Sequence, residues 1–312
     1  MDLEELYWSQ QKTFGLARDN YIRLKESVYR NIPINGFRFS IQFNPSRILS
    51  TNAKVDPATI KDRKCFLCPE NMPPQQEGLP YGERYNIFVN PYPIFEKHFT
   101  VPATQHSPQL IGGRFEDLLA LAFDFPEYSV FYNGPECGAS APDHFHFQMA
   151  PRRVMPAEQD ANNAGIIKEL IKRDSFSIST IDNYLRRVLV LSSPDRRILT
   201  SLFYKLTTLL PPAGNAGGEP KFNLIAWFEG RIWTVCLFPR ETLRPRQFFE
   251  EGEAKVLFSP GSVDMAGLII APRKEDFEKY TPDLLADLFS QVTLNSPAWD
   301  QLKTSLLRTF NV

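Results

Sequence analysis

Two stretches of this chain close the same run of elements, and each ends in a Pro-Arg pair. In the first half, the residue pattern predicts strands at Tyr85–Asn90 and His98–Pro102 and a helix over Phe115–Ala122. Strands at Tyr128–Tyr132 and His144–Ala150 follow, the second ending at Pro151-Arg152. Strand, helix, strand, strand returns as Tyr184–Leu191, Asp195–Leu210, Phe222–Phe228 and Ile232–Phe238, closed by Pro239-Arg240. Counting back from the two pairs sets Ile232 opposite His144, Thr234 opposite His146 and Cys236 opposite Gln148. The similarity is faint. It has the form of an internal duplication whose first copy alone carries the polar residues.

Ahead of the first copy, Leu3–Ser27 has helical spacing and Gly36–Phe43 alternates like a strand. A polar stretch leads to Cys65-Phe-Leu-Cys68-Pro69, and a Pro/Gln/Gly-rich loop runs on to about Gly82. Between the copies, Ala157–Gly165 is rich in Ala, Asn and Asp and reads as a linker, which gives expected domains of 1–160 and 161–312. A length of 312 residues suits one large domain or two ordinary ones.

The chain has a net charge of -1 and no long basic or acidic block, so neither duplex nucleic acid nor an anionic membrane is the expected partner. The acidic start Met1-Asp2-Leu3-Glu4-Glu5 lacks the apolar core of a signal peptide. No stretch approaches the ~20 apolar residues of a membrane helix, and the expected location is cytoplasmic. There, a Cys-x-x-Cys pair reads as metal or redox chemistry rather than as part of a disulfide framework.

All four histidines, His98, His106, His144 and His146, fall in one short window. On a strand, His144, His146 and Gln148 share one face while Phe145 and Phe147 point into the opposite core. Consecutive polar side chains on one face suit a pocket better than a core, since each needs a partner or water. An imidazole titrating near pH 6.5 is largely unprotonated at neutrality and can attack phosphorus, splitting one displacement into two. Gln148 can meet phosphate oxygens without adding negative charge. Upstream, Gly134, Gly138 and Ser140 let the backbone approach a phosphate closely. Cys65 and Cys68 are half of a zinc site. Their missing partners would come from the histidine cluster, His106 and His144 first and His98 in reserve. Pro69 and the lack of a thioredoxin-like strand–helix context weigh against a redox dithiol.

The pattern Asn…Gly-Ala-Ser…His-x-His-x-Gln resembles the transferase branch of the histidine-triad superfamily. That branch holds galactose-1-phosphate uridylyltransferase, GDP-hexose phosphorylases and diadenosine tetraphosphate phosphorylase. Glutamine at 148, where the hydrolases carry a third histidine, marks the transferases and phosphorylases. The resemblance implies an α+β fold of two tandem histidine-triad-like halves, each with an antiparallel sheet packed by helices. It implies that His146 becomes nucleotidylated and that Gln148 steadies the phosphate. Asn90, Asn133, Gly138 and Ser140 would bind nucleoside and phosphates, and Cys65, Cys68, His106 and His144 would hold a structural zinc. Phe145, in place of a proline, is closer to the GDP-hexose phosphorylase form, and Asp143 is an extra residue before His144. The second half has no histidine and lacks the sugar-phosphate residues of the uridylyltransferase.

The expected activity is therefore nucleotidyl transfer. A nucleotide sugar or dinucleoside polyphosphate would be the donor and phosphate or a sugar phosphate the acceptor, in a monomer or homodimer. A nucleotide hydrolase and a non-catalytic nucleotide-binding protein are the competing expectations.

Overall fold

The Asn35-Gly36 turn starts the fold. Both residues have positive φ, 54° and 85°, which matches the type I′ turn that suits the twist of a two-residue hairpin. It joins β1 (Val28–Ile34) to β2 (Phe37–Phe43) in the computed structural model, which describes residues 1–48, 57–212 and 218–310. Part of the polar stretch before Cys65 lies outside those residues. The first half continues with β3 (Gly78–Tyr81), β4 (Tyr85–Val89), β5 (Phe99–Pro102), β6 (Tyr128–Asn133) and β7 (His146–Pro151). The second half supplies β8 (Ile167–Arg173), β9 (Phe176–Ile181), β10 (Leu189–Ser193), β11 (Phe222–Glu229), β12 (Ile232–Pro239) and β13 (Leu268–Ala271).

Ten of these strands form one antiparallel sheet in the order β3-β4-β5-β7-β6-β11-β12-β10-β9-β8. Read outward from the β6–β11 seam, each half has the same connectivity, so the repeat marked by the Pro-Arg pairs is a repeat of topology. The sheets of the two halves join edge to edge, with Asn223 opposite Asn133 at the seam. Helices Phe115–Asp124 and Arg196–Thr207 occupy equivalent places and meet through Phe115 and Phe203, whose rings stack at 3.8 Å.

Alternation along β7 decides what lies on each face. Phe145, Phe147 and Met149 are fully buried in the core on this face, which is also filled by residues of these two helices and of Leu3–Thr13, Gly15–Lys25 and Ser296–Thr309. Each such phenylalanine contributes about 1.5–3 kcal/mol by burial. The opposite face carries Phe131, Ala150, Ile225 and Trp227 and is covered by the helix Pro282–Val292 and a small sheet, β1-β2-β13. In that small sheet β13 runs parallel to β2, so a strand from the far end of the chain completes the N-terminal hairpin. The candidate site lies on this second face.

Several elements differ from expectation. The helix expected over Leu3–Ser27 is two helices, because buried Phe14 leaves helical geometry at φ -111°, ψ 93°. The strand expected from Tyr184 begins at Leu189. The residues before it bury Arg186 between the rings of Phe39 and Tyr184. The expected linker holds the helix Pro156–Ala161, whose buried Glu158 accepts the Arg153 N–H at 2.6 Å. Among the described residues no helix is long and apolar enough to cross a membrane.

Candidate active site

β7 starts at His146, paired with Pro102 of β5. His146 is 4% exposed, and burial lowers its ring from the ordinary 6.5 to about 4. At neutral pH the ring is uncharged and carries one proton. The position of that proton follows from geometry: Nδ1 lies 2.9 Å from the His144 carbonyl oxygen, which can only accept. Nδ1 is therefore the donor, and Nε2 keeps its lone pair. The ring borders a cavity of about 540 Å³, within the range of small-molecule sites.

Gln148 stands two residues on, facing the same cavity. Its Oε1 is 2.9 Å from His98 Nε2, and His98 Nδ1 accepts the Ile94 N–H at 3.2 Å. Accepting at Nδ1 makes Nε2 the protonated nitrogen, so His98 donates to Gln148 Oε1. The amide orientation is thereby fixed, with the NH₂ as the end that can donate to a ligand. Enclosure holds His98 neutral, lowering it to about 3, with Arg47 adding to the effect.

The Gly134–Pro142 loop packs against the second half. Gly138 has φ 93°, and a Cβ there would lie 2.7 Å from Gly261 Cα and 2.8 Å from the Pro260 oxygen. Only glycine fits both demands. Asn133 Oδ1 accepts from Ser262 N, Ser262 Oγ and Asn223 Nδ2 at 2.6, 2.7 and 2.9 Å. Asn133 thus ties the halves together as well as lining the cavity. Asn90 donates to Thr100 Oγ1 and accepts the Tyr92 N–H, both at 2.9 Å. Asn90, Asn133, Gly138 and Ser140 all border the cavity with His146 and Gln148.

His144 does not share their face, contrary to the alternation expected for 144–148. It precedes the strand, in the turn made by His144 N–H and the Ala141 carbonyl. Its Nε2 donates to the Ala103 carbonyl at 2.8 Å, which turns Nδ1 toward the cysteines. Cys65 Sγ is 3.3 Å and Cys68 Sγ 3.5 Å from that Nδ1, and His106 Nδ1 is 3.2 Å from Cys68 Sγ. The four ligand atoms lie within 4.8 Å of one another and could hold a metal ion. Metal–sulfur bonds of about 2.3 Å and metal–nitrogen bonds of about 2.0–2.1 Å place tetrahedral neighbours roughly 3.3–3.8 Å apart, close to the observed spacings. His98, the reserve ligand, is not in the cluster, since its ring is engaged by Gln148 and Ile94.

Residues 6–151 match a family model described as "Domain of unknown function (DUF4922)", and residues 157–311 one described as "GDPGP1-like, C-terminal domain". Among solved structures, yeast Ap4A phosphorylase with bound AMP superposes with a TM-score of 0.59 at 18% identity, covering 90% of this chain and 95% of that one. The same enzyme with Ap4A gives 0.57 at 16%, over 90% and 96%. A uridylyltransferase structure gives 0.41 at 12%, over 90% and 99%. No curated protein matches by sequence.

The chain has the two-half, histidine-triad-like fold, and its second half matches the GDPGP1-like family model. Within this histidine-triad-like frame, two features of the site lie beyond the sequence reading. Gln109, fully buried, accepts the His146 N–H at 2.7 Å and donates to the carbonyls of His146 and Asn133 at 3.0 Å. The β6–β7 pairing ends at Phe131–Gln148, and beyond it Gln109 stands in for the missing strand contact. No motif marks it, because it sits in a loop whose placement depends on the tertiary fold. The second feature is the cavity wall drawn from the second half: Leu243, Arg244, Ser259, Gly261 and Asp264.

Proposed function

We propose that this protein is a nucleotidyltransferase working through a covalent nucleotidyl-histidine intermediate at His146. One observation carries the proposal: His146 Nδ1–H donates to the His144 carbonyl, leaving an unprotonated Nε2 on a neutral ring at the cavity wall. The donor is a nucleotide sugar or dinucleoside polyphosphate. Nε2 attacks the α-phosphorus, an N–P bond forms, and the P–O bond to the leaving phosphoryl group breaks with its electron pair on the bridging oxygen. In the second half-reaction an oxygen of phosphate or of a sugar phosphate attacks the same phosphorus and the N–P bond breaks. The Gln148 amide, aimed by His98, and the backbone around Gly138 and Ser140 meet the phosphoryl oxygens. The solved complexes of the yeast phosphorylase, with AMP and with Ap4A, support ligands of this class.

The ion held by Cys65, Cys68, His106 and His144 is proposed to be zinc in a structural role. Bound zinc would fix the His144 segment, and with it the carbonyl that anchors the nucleophile.

Labelled UDP-, GDP- and ADP-hexoses and Ap4A, each incubated with the protein without acceptor, test the reading. A transferase accumulates acid-labile, base-stable label on the protein and discharges it when phosphate or a hexose phosphate is added. Steady turnover in water alone would mark a hydrolase. Nucleotide binding without labelling or turnover would mark a binding protein.

A further inference from the structure

Gln109, which holds the His146 backbone, is itself held. Its N–H donates to the Pro142 carbonyl at 3.0 Å, and its carbonyl oxygen lies 2.9 Å from the Tyr132 hydroxyl of β6. That hydroxyl also lies 2.6 Å from Glu219 Oε1, while Glu219 Oε2 accepts the Ile111 N–H at 2.6 Å. Glu219 comes from the second half, just ahead of β11, so the support of the nucleophile is braced across the seam.

The three oxygens share too few protons when Glu219 is ionised. Tyr132 is fully buried, and burial raises its hydroxyl well above the ordinary value, so it keeps its one proton at neutral pH. Carbonyl and carboxylate oxygens can only accept. The proton therefore serves one of two acceptors, and the charged one takes it, since such hydrogen bonds are roughly twice as strong. The enclosed Gln109 carbonyl then faces the phenol oxygen with no proton between them. With Glu219 protonated, the carboxyl donates to Tyr132, Tyr132 donates to Gln109, and all three oxygens are satisfied.

Burial pushes the Glu219 carboxyl up to about 7, against the opposing hydrogen bonds from Tyr132 and Ile111. The residue is half-buried, which leaves its proton open to exchange with water. Nearby stand the Cys137 thiol, which burial pushes up to about 12, and the Lys221–Glu136 ion pair at 3.3 Å. Arg240 is turned to the Pro260 and Val292 carbonyls and to Asn223, and Arg114 to Ser107 and the Phe145 ring.

We propose that Glu219 is a positioning residue for His146: protonated, it leaves the Tyr132 proton to the Gln109 carbonyl and so fixes the nucleophile's backbone, and on ionising it withdraws that proton. Its part in catalysis rests on the proposed function; its hold on Gln109 does not.

Amide hydrogen exchange at His146, resolved to the residue in the full chain at about pH 6 and about pH 8, tests this hold. In Glu219→Gln the carboxamide donates to Tyr132 at either pH, so the variant mimics the protonated state. Comparing two proteins at one pH cancels the intrinsic pH dependence of exchange. Wild type and Glu219→Gln should match at the lower pH, and wild type should exchange about fivefold faster or more at the higher. Tyr132→Phe, with no hydroxyl proton to share, should exchange faster than wild type at the lower pH and converge with it at the higher. Ratios of wild type to both variants that do not change with pH overturn the proposal. Labelling of His146 then separates positioning from stability. Its rate should fall about tenfold over this pH range in wild type, and Glu219→Gln should lose that fall. Parallel profiles overturn the positioning role. If no nucleotide labels any of the three proteins, the proposed function fails, and the exchange ratios still decide what Glu219 does.

Discussion

Two buried side chains, Gln109 and His98, hold the proposed nucleophile His146 and its neighbour Gln148 in place. Gln109 satisfies one N–H and two carbonyls at the point where β6 and β7 part. Gln109→Ala leaves those groups buried without partners, a loss of about 1–3 kcal/mol that urea unfolding will read. It also frees the His146 backbone to shift, so kcat should fall roughly 10- to 100-fold while KM for the nucleotide changes little. His98 has a consequence for pH. Its folded pKa, about 3, lies below the unfolded value near 6.5. Between those values the unfolded chain binds a proton that the folded chain refuses. This contribution is thus complete above pH 6.5 and is lost as pH falls toward 3. Unfolding free energies at pH 7 and pH 5 should show the native protein losing about 2 kcal/mol more than His98→Phe over that interval. The same variant removes the donor that orients Gln148 and should lower kcat roughly tenfold.

Elements were legible in the sequence where pattern and placement agree. β7 could be read because Phe145, Phe147 and Met149 fill one core while His146 and Gln148 face the cavity. The Cys-x-x-Cys loop could be read as half of a metal site, because such spacing sets two thiolates on one turn. β8 was missed since Ile167-Lys-Glu-Leu-Ile-Lys-Arg173 is a charged edge strand, and charge that protects an edge also hides its alternation. His98 was visible as a histidine but not as the partner of Gln148, a contact between residues 50 apart in sequence that only the β5–β7 register creates. At the metal-site loop, Cys65→Ser should reduce bound zinc from about one ion per chain to a small fraction and lower the melting temperature. Unchanged zinc content would reject the site.

At the scale of the molecule, the two halves depend on each other. We propose that the chain divides near residue 160, yet β6 pairs with β11 and β2 with β13 across that division. Gly138 rests on Gly261, and Asn133 accepts from Ser262 and Asn223. A fragment of residues 1–160 would expose β6 as a long apolar edge and leave the β1–β2 hairpin incomplete. Expressed alone, it should aggregate or show no cooperative melting, and adding residues 161–312 in trans should restore folding. A cooperatively folded, monomeric fragment would show that the seam is dispensable. The second half, without a histidine of its own, supplies the far wall of the cavity and the contacts that hold the Gly134–Pro142 loop.

The most direct test of the account is the site of covalent attachment. The protein is incubated with each labelled nucleotide donor, digested under alkaline conditions that preserve phosphoramidates, and mapped by peptide mass spectrometry. The account predicts one nucleoside monophosphate on His146, discharged by phosphate or a sugar phosphate, and absent from a folded His146→Gly variant. A nucleotidyl group on any other residue, or one that persists in His146→Gly, would contradict it.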